Sequence, residues 1–249
     1  MKQNKRIPRI STRGFYDLTT GKTKKTKPYD LYPTKFFKTL ENESEITIMI
    51  HGLRNNESGA LTKFKIAQFR LGQLGYIHPV VGFSYDSNTR GVQYKSHEKQ
   101  ATKVGIVIAK KNGKNLAKFI LDTKRKFPNL KIRLIGHSLG SQVILSTLFN
   151  LKNKSLVESV YIFGASIPSD SANLQKHGGL IYNTVRQKFV NYYSKFDGVL
   201  KYAYLQGLIP EPIGYSGANG KTTANYVQKH VRPDNHRFAS YAKTLNSYP

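Results

Sequence analysis

Short apolar runs alternate along the chain with longer stretches in which apolar residues recur every three or four positions. The short runs predict five buried strands, at residues 46–50, 80–85, 130–135, 157–163 and 189–193. The longer stretches predict helices at residues 58–74, about 99–127, and 139–149. Asn112 and Gly113 are expected to bend the second of these helices. Strands that alternate with helices favour an α/β fold, with a mostly parallel central sheet and helices on both faces.

The length of the chain suits one domain. With 249 residues, of which 39% are hydrophobic, it can build one large core. We expect residues 1–44 to form a basic N-terminal segment that is partly ordered, and residues 45–249 to form the α/β domain. Within the N-terminal segment we expect a mobile arm up to about residue 28, with an edge strand at residues 14–18. The aromatic residues of 29–44 are expected to dock on the core.

Several kinds of protein are disfavoured by what the sequence lacks. Because it has no cysteine, it can form no disulfide framework and no thiolate metal site, and it has no cysteine nucleophile. No apolar stretch follows the basic start of the chain, so we do not expect a cleaved secretory signal. The sequence contains no run of about 18 apolar residues, so it predicts no transmembrane segment. We therefore expect a cytoplasmic protein.

The formal net charge of +26 at pH 7 is the unusual feature of the composition. A charge this large attracts anionic partners such as nucleic acid or anionic lipid. The basic residues are nevertheless scattered, apart from the lysines of 22–27 and the run Lys124-Arg125-Lys126, and no nucleic-acid-binding motif accompanies them. Because the basic residues are scattered, lysines spread over solvated faces are the preferred explanation of the charge, and an anionic partner stays open as the alternative.

The candidate chemistry begins at the turn Gly136-His137-Ser138-Leu139-Gly140, which fits the motif G-x-S-x-G. This motif holds a serine on a strained strand-to-helix turn, where its hydroxyl stands clear of the sheet and the glycines let the turn close. The pattern alone is weak. Here it follows a predicted strand and precedes a predicted helix, which is the context that the motif requires. Ser138 is therefore the candidate nucleophile.

A second feature, His51-Gly52-Leu53, directly follows the first predicted strand of the α/β domain. A glycine at such a position lets the backbone come close to a substrate, so that a free N–H can hydrogen-bond a carbonyl oxygen. We expect the backbone N–H groups of Leu53 and Leu139 to form an oxyanion hole. Taken alone, the pair His51-Gly52 is equally typical of a simple turn at a strand end.

A serine nucleophile needs a base that takes its proton, and a third group that orients this base. In α/β-hydrolases the histidine comes last in the chain, and the histidines that follow Ser138 are His177, His230 and His236. His236, in the final segment, is the candidate base, with His230 as the alternative. A surface turn would also account for His236. His137 is expected to pack beside the nucleophile.

Asp197 is the candidate acid, because it stands just past a predicted strand end, where α/β sheets carry functional groups. Asp170 and Asp234 are the alternatives. A helix cap would also explain Asp197, since aspartate favours that position and a helix is expected to follow. Asp86 precedes the serine and breaks the usual order, although it could still line the pocket.

These motifs carry a resemblance to a known family. Over roughly residues 45–245 the sequence resembles α/β-hydrolases of the GHSLG lipase and esterase type. Residues 190–200 are similar to the acid-bearing segment of a poorly characterised branch that includes membrane-associated coiled-coil proteins. In that branch a histidine followed by a tyrosine closes the domain, and the matching residues here are Asp197, His236 and Tyr241. The chain departs from the branch in lacking membrane segments and in being very basic.

The motifs and the resemblance together imply a serine hydrolase that cleaves small-molecule or lipid carboxylic esters through an acyl-enzyme. This chemistry needs no metal and no other cofactor. One alternative is an acyltransferase, or a lipid hydrolase that works at an anionic membrane surface. Another is a non-catalytic scaffold that binds nucleic acid or another anionic partner. Residues 167–187 are expected to be irregular and could cover part of the site.

Overall fold

An eight-stranded sheet runs through the computed structural model, which describes residues 7–152 and 154–249. The strands are β1 Arg9–Ser11, β2 Asp30–Tyr32, β3 Glu45–Ile50, β4 Val80–Ser84, β5 Lys131–His137, β6 Val157–Phe163, β7 Val185–Tyr193 and β8 Tyr226–His230. They lie in the order β2-β1-β4-β3-β5-β6-β7-β8. Every neighbouring pair is parallel except β1 and β2. The predicted mostly parallel α/β sheet is therefore confirmed.

Helices cover both faces of this sheet. They are α1 Thr34–Lys38, α2 Glu57–Gln73, α3 Lys95–Lys126, α4 Gly140–Leu151, α5 Gly179–Thr184, α6 Gly198–Leu205, α7 Ile213–Ser216 and α8 Phe238–Lys243. Helices α2 and α8 pack on one face, and α3 and α4 pack together on the other. Within the described ranges, no helix has both the length and the apolar character that crossing a membrane requires.

The core is built from strands that are buried on both sides, as the continuous apolar runs predict for parallel strands. In β3, Ile46, Ile48 and Ile50 belong to the cluster on the α3 and α4 side. Met49, which points the opposite way, belongs to the cluster with α2 and α8. This alternation follows from the two-residue period of a strand. Strands β3 and β5 pair in register from Glu45–Lys131 to Ile50–Gly136. This register brings the carboxyl ends of the two strands together.

The N-terminal segment differs from the prediction. Residues 14–18 form a loop, and the strands lie instead at β1 and β2 on the sheet edge. Ile10 and Phe37 are buried in the same core as residues of the predicted α/β domain. The loop is held by Asp86 at the end of β4, whose carboxylate accepts hydrogen bonds from the backbone of residues 14 and 16. Residues 1–6 of the predicted arm lie outside the described residues.

Helix α3 runs unbroken through the predicted bend. The side chain of Asn112 is buried and donates to the carbonyl of Ile108, one helical turn earlier, so the helix continues. Gly113 serves a close approach of α4, because a Cβ at this position would lie 2.3 Å from the Cβ of Ser146. The glycine thus allows the two helices to pack closely.

Strand β8 was not predicted from the sequence. Of its five residues only Tyr226 is buried, and the others are exposed. Its sequence, Tyr-Val-Gln-Lys-His, contains no apolar run because it pairs only with β7 at the edge of the sheet. Edge strands commonly carry polar and charged residues, so the signal that identified the central strands is missing here.

Candidate active site

Ser138 stands on a strained turn between β5 and α4. Its φ angle of 52° lies in the left-handed region, which residues other than glycine rarely adopt. The turn is fixed by its backbone hydrogen bonds: the Ser138 N–H donates to the carbonyl of Phe163 (3.0 Å), and the Ser138 carbonyl accepts from Oγ of Ser141 (2.6 Å). A Cβ at Gly140 would lie 2.5 Å from the carbonyl oxygen of Ile50. This is the geometry that the G-x-S-x-G motif predicts.

The three side chains proposed from the sequence as nucleophile, base and acid lie in one hydrogen-bonded series. Oγ of Ser138 is 2.9 Å from Nε2 of His236, and Nδ1 of His236 is 2.6 Å from Oδ2 of Asp197. With the imidazole proton on Nδ1, this nitrogen donates to the carboxylate and Nε2 accepts from the serine hydroxyl. The geometry meets the requirement for an activated serine, while the catalytic roles themselves remain predictions.

Asp197 is both the partner of His236 and the cap of α6. Its Oδ1 accepts from the backbone N–H groups of Val199 and Leu200, each at 3.1 Å. Its Oδ2 also accepts from the hydroxyl of Tyr241 at 2.7 Å. Burial acts to raise the pKa of Asp197, but the hydrogen bonds from His236, Tyr241 and the Leu200 N–H outweigh it and lower that pKa. The carboxylate is therefore ionised although its side chain is fully buried.

His137, which we expected to pack beside the nucleophile, packs against the candidate base. Its Nε2–H donates to the carbonyl oxygen of His236 at 2.7 Å, and the two ring centroids are 5.0 Å apart. Burial, reinforced by the neighbouring His236, lowers the pKa of His137 to about 3. A histidine this hard to protonate is a neutral donor, which helps to hold the backbone of His236 in place.

The loop after β3 is held by side-chain hydrogen bonds to its backbone carbonyls. Nδ1–H of His51 donates to the carbonyl of Gly52 (3.0 Å), and Nε2 accepts from the Tyr85 N–H (3.2 Å). Burial, and then the charge of Arg13, lower the pKa of His51 to about 3. The amide of Asn55 donates to the carbonyl of Leu53 at 2.7 Å. These bonds engage the carbonyls of Gly52 and Leu53 and fix the course of the loop.

The same loop lies directly against the nucleophile. A Cβ at Gly52 would be 2.9 Å from the Cβ of Ser138 and 3.0 Å from the carbonyl oxygen of His137. Leu53 and Leu139 both line the cavity beside the serine. Within residues 7–152 and 154–249, neither of their N–H groups has a protein acceptor. Both are therefore available for a substrate oxygen, and the predicted oxyanion hole remains a hypothesis that this geometry permits.

The alternative acids make other contacts. Asp170 pairs with Lys176, and Asp234 accepts from the hydroxyl of Ser240 at 3.1 Å. Asp86, which we considered as a pocket residue, holds the N-terminal loop and lines a separate surface depression there. Neither of the first two carboxylates is positioned to orient the candidate base.

The alternative histidines also lie in other surroundings. The ring of His177 packs edge-on against Phe149, with centroids 4.8 Å apart. His230 ends the edge strand β8, and its ring lies against Tyr193. Of the three histidines after the serine, only His236 reaches it with its imidazole.

A cavity of about 330 Å³ opens beside Ser138. One wall is the start of α3, with Glu98, Thr102 and Ile106, and another is α6 with the segment that follows it, up to residue 209. Residues 167–187, which the sequence left open as a partial cover of the site, are all described and none lines this cavity. Their helix α5 packs instead on α4 and β7. The sequence did carry a signal for the true wall, namely the apolar residues that follow Asp197.

A polar bridge crosses the rim of the cavity. The guanidinium of Arg54, next to Leu53, is 2.6 Å from Oε1 of Glu98 on α3 and also donates to the carbonyl of Val92 at 2.6 Å. Oε2 of Glu98 accepts from the hydroxyl of Tyr202 on α6 at 3.2 Å. The bridge therefore joins the loop after β3 to both walls of the cavity.

The arrangement is suited to acyl transfer through a serine. It combines a hydroxyl, a base that can accept its proton, an ionised acid and two free backbone N–H groups beside a cavity. Among the described residues, no group of three or more histidine, cysteine, aspartate or glutamate side chains could hold a metal ion.

Comparison with known proteins relates part of the chain to a family whose activity is not established. The family DUF726, described as a protein of unknown function, matches residues 96–209. The match spans most of α3 and continues through α6, so it contains Ser138 and Asp197 and leaves out Leu53 and His236. No curated protein matches the sequence.

Solved structures with a similar course of the chain are distant in sequence. A lipase-esterase related protein from Clostridium acetobutylicum is 13% identical, with 82% of this chain and 92% of that chain covered and a TM-score of 0.44. Aspergillus fumigatus lipase B is 13% identical, with 76% and 45% covered and a TM-score of 0.45. A cutinase-like protein from Cryptococcus sp. is 12% identical, with 80% and 86% covered and a TM-score of 0.39. By its parallel sheet and its serine turn the chain has the α/β-hydrolase fold, and its residues 96–209 are similar to the DUF726 family.

Proposed function

We propose that this protein is a serine hydrolase that cleaves carboxylic esters. The observation that carries the proposal is the hydrogen-bonded series Ser138, His236 and Asp197, with distances of 2.9 and 2.6 Å. The strained backbone of Ser138 supports it further. A φ of 52° costs conformational free energy in a serine, and such strain is found most often at functional sites. The cavity beside the hydroxyl provides room for a substrate.

The reaction begins with attack of Oγ of Ser138 on the acyl carbon of the ester. The hydroxyl proton passes to Nε2 of His236 as the new C–O bond forms, and the carbonyl oxygen becomes an oxyanion. The N–H groups of Leu53 and Leu139 hydrogen-bond this oxyanion, each worth about 10²–10³ in rate. When the tetrahedral intermediate collapses, the bond to the alcohol oxygen breaks and that oxygen takes the proton from Nε2. An acyl-enzyme and a free alcohol result.

Water then repeats the sequence on the acyl-enzyme. His236 takes a proton from the water, whose oxygen attacks the acyl carbon, and the second tetrahedral intermediate expels Oγ of Ser138. The serine oxygen recovers its proton from the imidazole, and a carboxylic acid leaves. Throughout, the ionised Asp197 keeps the imidazole in the Nδ1–H tautomer and stabilises its charged form.

The cavity favours an ester whose acyl or alkyl part is apolar. Its volume of about 330 Å³ lies at the lower end of ordinary ligand pockets. Among its lining residues are Leu53, Ile106, Leu139, Val199 and Ile209. Apolar side chains of this kind gain free energy by excluding water from a hydrocarbon group.

Hydrolysis of p-nitrophenyl esters of increasing chain length tests the proposal. We expect the protein to release p-nitrophenol, and Ser138→Ala to lower kcat/KM at least a thousandfold. The same loss is expected for His236→Ala. In contrast, His230→Ala, which removes an exposed histidine at the end of β8, should retain full activity. Equal rates for the wild-type protein and Ser138→Ala would reject the proposal.

A further inference from the structure

Helix α6 exposes an unusual amount of apolar surface beside the cavity. Leu200 is its only buried residue. Leu205 is 65% exposed and Val199 54%, and Tyr202, between them, is also exposed. The three recur at every third position, so they lie along one side of the helix. Phe196, just before the helix, is 61% exposed. Together, Phe196, Val199, Tyr202 and Leu205 form what we call the α6 surface.

Several cations flank the α6 surface, and the carboxylate of Glu98, which accepts from the Tyr202 hydroxyl, is paired with Arg54. Lys195 and Lys201 are exposed on the same short segment. The guanidinium of Arg232 lies 4.8 Å from the centre of the Phe196 ring. The only acidic residue of 195–207 is Asp197, which is buried and fully hydrogen-bonded. Exposed apolar side chains flanked by cations are typical of surfaces that bind anionic lipid, because the apolar groups enter the headgroup region while the cations contact phosphates.

We propose that the α6 surface docks on an anionic lipid membrane. Nucleic acid would be attracted by the charge of +26. It is bound through phosphates and base stacking, however, and these contacts would not bury exposed leucine and valine side chains. A lipid surface satisfies both features. Because the docking surface and the cavity share α6, the proposal deepens the proposed function: it rests on that function for the claim that the substrate is a lipid ester.

The position of α6 gives a path from membrane to serine. Val199 and Tyr202 belong to the α6 surface and also line the cavity, together with Ser138. A lipid acyl chain that leaves the membrane along Val199 and Tyr202 therefore follows residues that also line the cavity.

The sequence offers a clean probe, because it contains no tryptophan. Leu205→Trp places a single indole on the α6 surface, and Phe69→Trp provides the matched control. Phe69 is an exposed aromatic residue on α2, and it lines a separate groove together with Lys65 and Arg70. Leu205 and Phe69 are both outside the lining of the active-site cavity, so neither substitution touches the proposed site.

The probe is read with vesicles made of equal parts phosphatidylcholine and phosphatidylglycerol. We expect the emission of Leu205→Trp to shift to shorter wavelength and that of Phe69→Trp to stay unchanged. Vesicles of phosphatidylcholine alone, or high salt, should weaken the effect, since the lysine contribution is electrostatic. An equal shift in both variants, or no shift in Leu205→Trp, would overturn the proposal. So would a shift of Leu205→Trp with duplex DNA and none with vesicles.

A second variant measures binding without a fluorophore. In co-sedimentation with the same vesicles, Leu205→Ser should lower the partition coefficient about tenfold, and Phe69→Ser should leave it unchanged. Unaltered binding of Leu205→Ser would contradict docking through α6.

Membrane binding and catalysis are separated by measuring vesicle binding in the serine variant and ester hydrolysis in the α6 variant. Ser138→Ala should bind vesicles like the wild-type protein, while Leu205→Ser should hydrolyse a soluble p-nitrophenyl ester at the wild-type rate. Failure of ester hydrolysis together with intact vesicle binding would reject the proposed function and leave the docking surface standing. Normal hydrolysis with no vesicle binding would reject the docking surface alone.

Discussion

The hydroxyl of Tyr241 lies 2.7 Å from Oδ2 of Asp197, the same oxygen that accepts from His236 at 2.6 Å. The tyrosine is fully buried. Burial and the adjacent carboxylate charge raise the pKa of Tyr241, so the phenol is a permanent donor. It therefore stabilises the ionised form of Asp197 and holds the carboxylate against the imidazole.

Removing this hydroxyl tests its contribution. We expect Tyr241→Phe to raise the pKa of Asp197, lower kcat about tenfold with little change in KM, and reduce the free energy of unfolding by about 1–2 kcal/mol. Ester hydrolysis and urea unfolding measure the two effects. Tyr226→Phe is the matched control, because Tyr226 is also buried and hydrogen-bonds Asn191 away from the serine. It should cost stability and leave kcat intact. A normal kcat for Tyr241→Phe would remove the tyrosine from the site.

The two roles of Asp197 can be separated by two substitutions. Asparagine can still cap α6, but it cannot hold the imidazole in the required tautomer. Asp197→Asn should therefore lower kcat about 10⁴-fold with a small change in stability. Asp197→Ala removes the cap as well and should destabilise the protein by about 1 kcal/mol more. If both variants lost the same stability and kept most of their activity, the residue would be a cap and nothing else.

We predict that Gly52 sets the distance between the serine and the loop after β3, which carries the candidate oxyanion donor Leu53. Its substitution by alanine puts a Cβ 2.9 Å from that of Ser138, so the loop must move. We expect Gly52→Ala to lower kcat/KM about 10²–10³-fold, the effect of losing one oxyanion donor. Gly72→Ala on α2 meets no atom within 4 Å and should instead stabilise the protein by about 0.5–1 kcal/mol. Full activity of Gly52→Ala would place the oxyanion donor elsewhere.

The buried histidines predict an acid-sensitive fold. The pKa of His51 and that of His137 are each lowered to about 3 from an ordinary 6.5. Between these values the unfolded chain binds more protons than the folded one. The free energy of unfolding should therefore fall as the pH drops below 6.5, by about 1.4 kcal/mol per pH unit for each histidine.

Urea unfolding between pH 7 and 4 checks this slope. His137→Gln keeps a donor near the position of Nε2 but does not titrate, so it should flatten the slope by about one histidine's share. His230→Gln, on the exposed edge strand, controls for the substitution. An unchanged slope in His137→Gln would mean that this histidine is protonated in the folded protein.

The central strands, the serine turn and the candidate acid and base could be predicted from the sequence, because each has a strong local signal. Strands buried on both faces, such as β3 and β6, form continuous apolar runs. The turn at Ser138 needs its glycines because the backbone of β3 passes within contact distance of residue 140. The chain order of acid and histidine then left few choices for Asp197 and His236.

The parts that the sequence did not predict depend on contacts between distant segments. Strand β1 and the edge strands β2 and β8 are short or polar, so no apolar run marks them. The cavity is walled by α6 and not by residues 167–187. Helix α6 lies beside the serine because Asp197, which contacts His236, also caps this helix. The bridge of Arg54, Glu98 and Tyr202 joins three segments that nothing in the sequence relates.

Labelling with a fluorophosphonate, which captures activated serines, tests the central claim most directly. We predict rapid labelling of the wild-type protein, none of Ser138→Ala, and labelling slowed by several orders of magnitude in Asp197→Asn and His236→Ala. Asp234→Asn and His230→Ala, the matched alternatives, should react at the wild-type rate. A folded wild-type protein that takes no label, or a Ser138→Ala protein that is labelled like the wild type, would contradict the account.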